Sequence, residues 1–153
     1  MNMETGAVDL EARGRLRQPA VLAWLRLMRV FHKIARLDAD HLRCRGLSVA
    51  QFDVLAHVGG AEGLTQQQLA DALVVTKGNV CQLLDRMEAA GLLIRRQDGR
   101  ANRLYLTQAG RALFDEVVPA HQALIAERFS ILSTRQQTEL LGLLRSLDHA
   151  LSP

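Results

Sequence analysis

The densest charge in the chain lies in a nine-residue stretch, residues 95–103. It contains four arginines and one aspartate, which are Arg95, Arg96, Arg100, Arg103 and Asp98. Its local balance of +3 equals the formal net charge of the whole 153-residue chain, +3 at pH 7. Guanidinium groups bind phosphate oxygens with paired donors and are favoured in narrow minor grooves, where the potential is most negative. The stretch therefore favours a DNA contact over the alternative, a solvated turn that binds nothing.

A second set of polar side chains precedes this stretch by about fifteen residues. Lys77, Asn79 and Gln82 can donate to and accept from base edges in a major groove, and Thr76 can cap the helix that carries them. The first turn of such a helix also offers backbone N–H groups to phosphate. Exposed polar residues that bind nothing are the alternative. Arg86 has two interpretations, an ion pair with a neighbouring acid or a phosphate contact.

Capping and periodicity predict the elements that position both sets. Thr65 and Gln68 have the spacing of a capping box, which opens a short helix, and a second helix follows Thr76 and ends at Gly91. This second helix has one apolar side, consisting of Val80, Leu83, Leu84 and Met87. Asp98-Gly99 then predicts a two-residue hairpin turn, which places Leu93 opposite Leu104. Two helices followed by a basic hairpin are typical of a helix-turn-helix with a wing.

Long helices are predicted on both sides of this region. The first covers about 18–45. A capping box at Ser48 and Gln51 then predicts the start of the next helix. Its apolar positions cover most of its circumference: Val21, Leu22, Trp24, Leu25, Leu27, Met28, Val30, Phe31, Ile34, Ala35 and Leu37. A further long helix starts at Thr107, and the last one starts at Ser133 and is strongly apolar on one face. Such wide apolar surfaces predict burial on more than one side.

The composition excludes several classes of protein. With 48% hydrophobic and 23% charged residues it is that of a globular protein, and no apolar run approaches the roughly 20 residues that span a bilayer. Residues 1–14 have no apolar block, so we expect no secretory signal and a cytoplasmic location.

Cys44 and Cys81 are expected to be free thiols, although oxidation of Cys81 would affect the helix that faces DNA. The five histidines show no metal-ligand spacing, and no catalytic motif is present; we therefore expect no metal, no cofactor and no enzyme.

Several motifs occur together and in order. They are Leu69-Ala70, Val80, the run Leu84-Asp85-Arg86-Met87-Glu88-Ala89-Ala90-Gly91-Leu92-Leu93, Asp98-Gly99-Arg100, and Leu106-Thr107-Gln108-Ala109-Gly110. In this order and spacing, with long helices on both sides, the chain resembles the MarR (multiple-antibiotic-resistance regulator) family. The resemblance covers about 19–151.

This resemblance implies a mainly α fold with a small β-hairpin wing, in which the long terminal helices form an intertwined homodimer. The implied organisation is a flexible terminus at 1–17 and a single domain at 18–153. Within that domain lie the helix-turn-helix at 65–90, the wing at 92–106, and dimerisation helices at 18–45 and 108–151. A twofold axis then predicts a near-palindromic operator with half-sites about 10 bp apart.

The resemblance also assigns roles to residues. The predicted DNA-binding set consists of Gln66, Thr76, Lys77, Asn79, Gln82, Arg86, Arg96, Arg100 and Arg103. Arg100 is expected in the minor groove and Asp98 is expected to orient the wing, although only Gln97 separates Arg96 from Asp98 where the family has a longer segment. A repressor is implied whose small-molecule effector contacts Trp24, Met28 and His32. The alternative function is a winged helix that binds proteins instead of DNA.

Overall fold

A computed structural model describes residues 18–152 and contains six helices and one β-hairpin in that part of the chain. The elements are α1 (Pro19–Arg43), α2 (Val49–Gly60), α3 (Gln66–Leu73), α4 (Lys77–Ala89), β1 (Leu93–Asp98), β2 (Ala101–Leu106), α5 (Gln108–Phe129) and α6 (Thr134–Leu151). This confirms the predicted mainly α fold with a small hairpin. Within 18–152 no helix is both long and apolar enough to cross a membrane.

The chain divides into two compact units, with the boundary between Phe52 and Asp53. In the first unit, α1 buries only Leu42 among its residues, and most of its predicted apolar stripe is exposed within a single chain. The capping box at the start of α2 is present, since Gln51 N donates to Ser48 Oγ at 3.1 Å. A single domain over 18–153 stays a prediction, and the flexible terminus predicted at 1–17 lies outside the described residues.

The second unit is built around the helix-turn-helix. The Thr65 capping box opens α3, and the Thr76 side chain accepts from Asn79 N at the start of α4, as the sequence predicts. The fully buried side chains of this unit form its core: Val54, Leu55, Val58, Leu69, Val80, Leu84, Met87, Leu93, Leu104 and Val117. Burial of apolar surface from α2, α3, α4 and the hairpin therefore fixes α4 in place, and its polar side remains outside.

The predicted register of the hairpin is wrong by two residues, because the turn lies one residue further along the chain than predicted. Leu93 pairs with Leu106, and Arg95, not Leu93, lies opposite Leu104. The last pair is Asp98 with Ala101, so the two turn residues are Gly99 and Arg100. Gly99 has φ of +60° and Arg100 does not have positive φ. These signs match a type II′ turn with glycine first, which the prediction of an Asp-Gly type I′ turn overlooked.

Three helices end in the same hydrogen-bond pattern, the Schellman motif, which needs a residue with positive φ. Gly46 and Gly91 occupy that position after α1 and α4, with φ of +71° at each. After α3 the position is held by Val74, at φ +53°. There Val74 N donates to Asp71 O at 3.2 Å and Val75 N donates to Ala70 O at 3.1 Å. A β-branched residue is strained in this left-handed conformation.

The start of α5 packs tightly against the end of α4. Thr107 caps α5 by accepting from Gly110 N at 3.0 Å, and its own hydroxyl donates to Gly91 O at 2.6 Å. A Cβ on Gly110 would lie 1.8 Å from the carbonyl oxygen of Leu92, so only glycine fits there. The junction explains why this helix start has glycine at its third position.

We predict that Val74→Gly stabilises the protein by about 1 kcal/mol. The substitution relieves strain of roughly 1–2 kcal/mol, and the greater freedom of glycine in the unfolded chain offsets part of this gain. Little packing is lost because the Val74 side chain is 89% exposed. Urea unfolding at equal protomer concentration measures the change.

The matched control is Val75→Gly, at a residue without positive φ, which should destabilise. Equal destabilisation by both substitutions would show that no strain is stored at Val74.

Candidate nucleic-acid interface

Helix α4 presents its polar side chains on its solvent side. Lys77, Asn79, Gln82 and Arg86 are exposed, whereas Val80, Leu84 and Met87 are fully buried. The sequence-based assignment of the two sides is therefore confirmed for these residues, and Leu83, also assigned to the apolar side, is half-buried. Thr76 is also exposed and its hydroxyl caps the helix. This arrangement puts donors, acceptors and the positive end of the helix dipole on one accessible surface.

Gln66 lies elsewhere than the sequence predicted. It is buried, at 7% exposure, and both ends of its amide are bonded within the protein. Its Nε2 donates to Cys81 Sγ of α4 at 3.4 Å, and its Oε1 accepts from Asn102 Nδ2 of β2 at 2.9 Å. Gln66 thus joins α3, α4 and the hairpin, and offers little surface to a ligand. Sequence alone could not reveal this, because residues 66 and 102 come together only in the folded chain.

An ion-pair cluster fixes β1 on α4. Arg95 Nη2 contacts Asp85 Oδ1 at 2.5 Å and Glu88 Oε2 at 2.6 Å. Arg95 Nε also donates to Glu88 Oε2 at 3.0 Å, and Arg95 N donates to Glu88 Oε1 at 2.8 Å. The hydrogen bond from the Arg95 side chain lowers the pKa of Glu88, although desolvation opposes it. Arg95 therefore holds the hairpin on α4. Asp85 and Glu88, the two acids that could have paired with Arg86, are paired with Arg95 instead.

The tip of the hairpin is held by a second pair. Arg103 Nε donates to Asp98 Oδ2 at 2.5 Å, and Arg103 Nη1 donates to Gly63 O at 2.9 Å. The hydrogen bond to Asp98 raises the pKa of Arg103. The segment before α3 also pairs with β2, with Gly63 N donating to Leu104 O at 2.8 Å. Asp98 thus contacts a residue that anchors the wing, in keeping with its expected orienting role.

The remaining two hairpin arginines are exposed and have no carboxylate partner in the described part of the chain. Arg96 lies 5.0 Å above the ring of Tyr105, which restrains its direction without neutralising it. Arg100 occupies the second position of the turn, at the tip. The four arginines of the sequence therefore separate into two that hold the hairpin and two that are available to a ligand.

The residues predicted to bind an effector all lie on α1, and their role stays a prediction. Trp24 is 59% exposed, Met28 is half-buried, and His32 is exposed. His32 lines a groove whose other described residues are Arg29, Lys33, Arg36 and Leu37, and neither Trp24 nor Met28 is among them. No group of three or more potential metal-ligating side chains occurs among residues 18–152.

We predict that Glu88→Gln destabilises the protein by about 1 kcal/mol at neutral pH, because the charge that Arg95 contacts is removed. Since the folded-state pKa of Glu88 lies below its ordinary value of 4.5, the pair contributes fully above that pH. Its contribution is lost as the pH falls through the folded-state pKa. Urea unfolding at about pH 7 and about pH 3.5 should therefore show a difference between wild type and variant that shrinks in acid.

Glu139→Gln is the control, because it removes an exposed pair whose Arg135 side chain is 88% exposed. We expect it to change stability by less than about 0.5 kcal/mol. A Glu88→Gln variant that is as stable as wild type at both pH values would contradict the role given to Arg95.

Comparison with known proteins places this geometry in one group. A model of the MarR family matches residues 45–103, which include the helix-turn-helix and most of the hairpin. An uncharacterised HTH-type transcriptional regulator of Bacillus cereus is 31% identical over 128 residues, covering 84% of this chain and 87% of the relative. The sequence likeness therefore extends well beyond residues 45–103.

Solved structures agree with this grouping. A MarR family transcriptional regulator from Silicibacter pomeroyi is 27% identical, with a TM-score of 0.75, over 89% of this chain and 96% of that one. MepR of S. aureus, solved in complex with DNA, shares the fold at 24% identity, with a TM-score of 0.76 over 86% of this chain and 98% of that one. From the fold, the arrangement of α3, α4 and the hairpin, and these relatives together, the chain belongs to the MarR family of winged helix-turn-helix, DNA-binding transcriptional regulators.

Proposed function

We propose that this chain binds a specific duplex as a dimer, with α4 in the major groove and the tip of the β1–β2 hairpin in the minor groove. The proposal rests on one observation: some cations of this surface are paired with carboxylates and others are not. Arg95 and Arg103 are engaged by carboxylates, whereas Lys77, Arg86 and Arg100 are exposed without one in the described part of the chain. Counterion release by such free cations supplies much of the affinity for duplex DNA.

Individual side chains then have distinct tasks. Lys77, Asn79 and Gln82 read base edges, because their donors and acceptors lie on the exposed side of α4. Thr76 caps the helix whose N-terminus faces phosphate, and Arg86 contacts the backbone. Arg100 and Arg96 provide the charge of the wing. Gln66 and Arg103 position the elements that carry these groups through contacts within the protein, and we do not include them among the direct contacts.

A second copy of the chain covers the apolar surfaces that a single copy leaves open. Large exposed hydrophobic side chains lie along the terminal helices: Leu22, Trp24, Leu25, Phe31 and Leu37 on α1, Ile125 on α5, and Leu141, Leu143, Leu144 and Leu147 on α6. Exposed apolar surface of this extent on a helix is characteristic of an interface. The twofold axis gives an operator with two half-sites about 10 bp apart. The dimer acts where that DNA is, in the cytoplasm, as a binding protein without catalytic activity.

We further propose that the dimer represses transcription and that a small molecule releases it. The support is family membership, since MarR proteins regulate transcription. A ligand can act in this way only by binding two separations of the α4 helices with different affinity. Titration of candidate ligands against the protein, with and without operator, tests the coupling. If ligands that bind the free dimer leave its operator affinity unchanged, release by ligand is wrong.

We predict that Arg100→Ala weakens binding to an operator selected from random duplexes by about 1–3 kcal/mol, because a charged group is removed from the groove. The slope of log K against log salt should also fall by about 0.9 for each phosphate that is no longer neutralised. Gel-shift titrations over a range of salt concentrations measure both quantities, and the selected sequences show whether the operator is a near-palindrome.

Arg135→Ala, on the exposed start of α6, is the control and should leave both quantities unchanged. An unaltered affinity and slope for Arg100→Ala would remove the hairpin tip from the interface. Failure of the wild-type protein to bind any duplex would favour a winged helix that binds proteins.

A further inference from the structure

Gly78 is the second residue of α4 and is exposed. In a helix with 3.6 residues per turn it lies within about 30° of the direction opposite to the buried side chains Val80, Leu84 and Met87. Gln82 is one turn further along and lies on nearly the same line. Gly78 is therefore close to the middle of the side of α4 that we propose faces the major groove.

Most glycines in the described part of the chain are required by the fold itself. Some have positive φ, and at others a Cβ would overlap a neighbouring atom. The first group is Gly46, Gly63, Gly91 and Gly99, and the second is Gly59 and Gly110. Gly78 belongs to neither group, because its φ is not positive and a Cβ at this position would have no atom within 4 Å. Nothing in residues 18–152 therefore requires glycine at position 78.

Glycine at this position also works against the helix. Glycine is a poor helix former and alanine the best, because glycine loses the most backbone freedom when a helix forms. Two more glycines have open space and no positive φ, but they lie elsewhere. Gly60 is the last residue of α2, and Gly142 lies between leucines of α6 that the proposed dimer covers. Of these three glycines, only Gly78 lies among the polar side chains of α4.

We propose that the missing side chain of Gly78 lets the backbone of α4 lie directly against base edges in the major groove. The inference rests on the proposed function, which places α4 in that groove. Glycine is the residue that permits close approach of a backbone to a ligand. Asn79 is the next residue, and its amide is separated from the backbone by one methylene group. A side chain this short reads a base edge only when the helix itself is near. Gly78 thus determines how deeply α4 enters the groove.

A glycine that is merely tolerated is the competing explanation. Both explanations agree about the free protein, in which alanine at position 78 would meet no atom and would favour the helix. They differ about the complex. A methyl group added between the backbone and the stacked bases would hold α4 away from the base edges, whereas a methyl group that faces only solvent would change nothing. The two explanations are therefore separated by measuring stability and operator binding on the same variant.

The test measures binding of Gly78→Ala and Gly78→Leu to the selected operator and to a random duplex of equal length. We expect Gly78→Ala to weaken operator binding about tenfold, a loss similar to that of one base contact, and Gly78→Leu to weaken it further. Binding to the random duplex should change little, because non-specific binding depends on phosphate contacts.

The matched control is Gly60→Ala. Gly60 is also an exposed helical glycine with no atom within 4 Å of a Cβ, and it lies outside the proposed interface. We expect this variant to bind both duplexes as wild type does. Urea unfolding separates binding from folding, since the midpoint of Gly78→Ala should equal or exceed that of wild type.

Three outcomes would overturn these conclusions. If Gly78→Ala and Gly78→Leu bind the operator as tightly as wild type does, the glycine is merely tolerated, and the inference is wrong while the proposed function stands. If both variants lose operator and random duplex to the same extent, the backbone of α4 does not lie against base edges, and the inference is again wrong. If wild type binds neither duplex, the proposed function itself fails.

Discussion

The contact of Arg95 with Glu88 and Asp85 is the constraint on which the proposed DNA-binding surface depends. A two-stranded hairpin is marginally stable by itself and would not hold a fixed direction. Arg95 fixes β1 on α4 through a backbone donor and side-chain donors together. Because Asp85 and Glu88 are both on α4, the separation between α4 and the tip of the hairpin is set inside the protein. Binding therefore does not have to order these two elements relative to each other, which would reduce affinity.

Pairing with carboxylates separates the arginines that hold the hairpin from those that stay available to a ligand. In the sequence, the four hairpin arginines are equivalent in type. In the structure, carboxylates neutralise Arg95 and Arg103, and the ring of Tyr105 restrains Arg96 while leaving it charged. The pKa of Glu88 lies below its ordinary value because of the same pairing with Arg95. A count of charges along the chain therefore overstates the charge available to a ligand at the hairpin.

Local signals were sufficient to predict much of the fold. Thr65, Thr76, Thr107 and Ser133 each cap the helix that the sequence assigned to them, because capping depends on residues within one turn. The hairpin register was wrong because glycine permits more than one turn type and the neighbouring arginine occupied the second turn position. Gln66 was misplaced because its partners are 15 and 36 residues away. Contacts over such separations follow from packing, which the pattern of residues along the chain does not encode directly.

The junction at Gly110 makes α5 a lever for α4. With no room for even a methyl group between Gly110 and the Leu92 carbonyl, and with Thr107 bonded to Gly91 and Leu92, the start of α5 cannot slide against the end of α4. Helix α5 has 22 residues. At about 1.5 Å per residue it is roughly 33 Å long, so a tilt of about 5° moves one end by about 3 Å relative to the other. A tilt of about 5° about the far end of α5 would displace α4 by an amount comparable to the spacing between neighbouring base pairs.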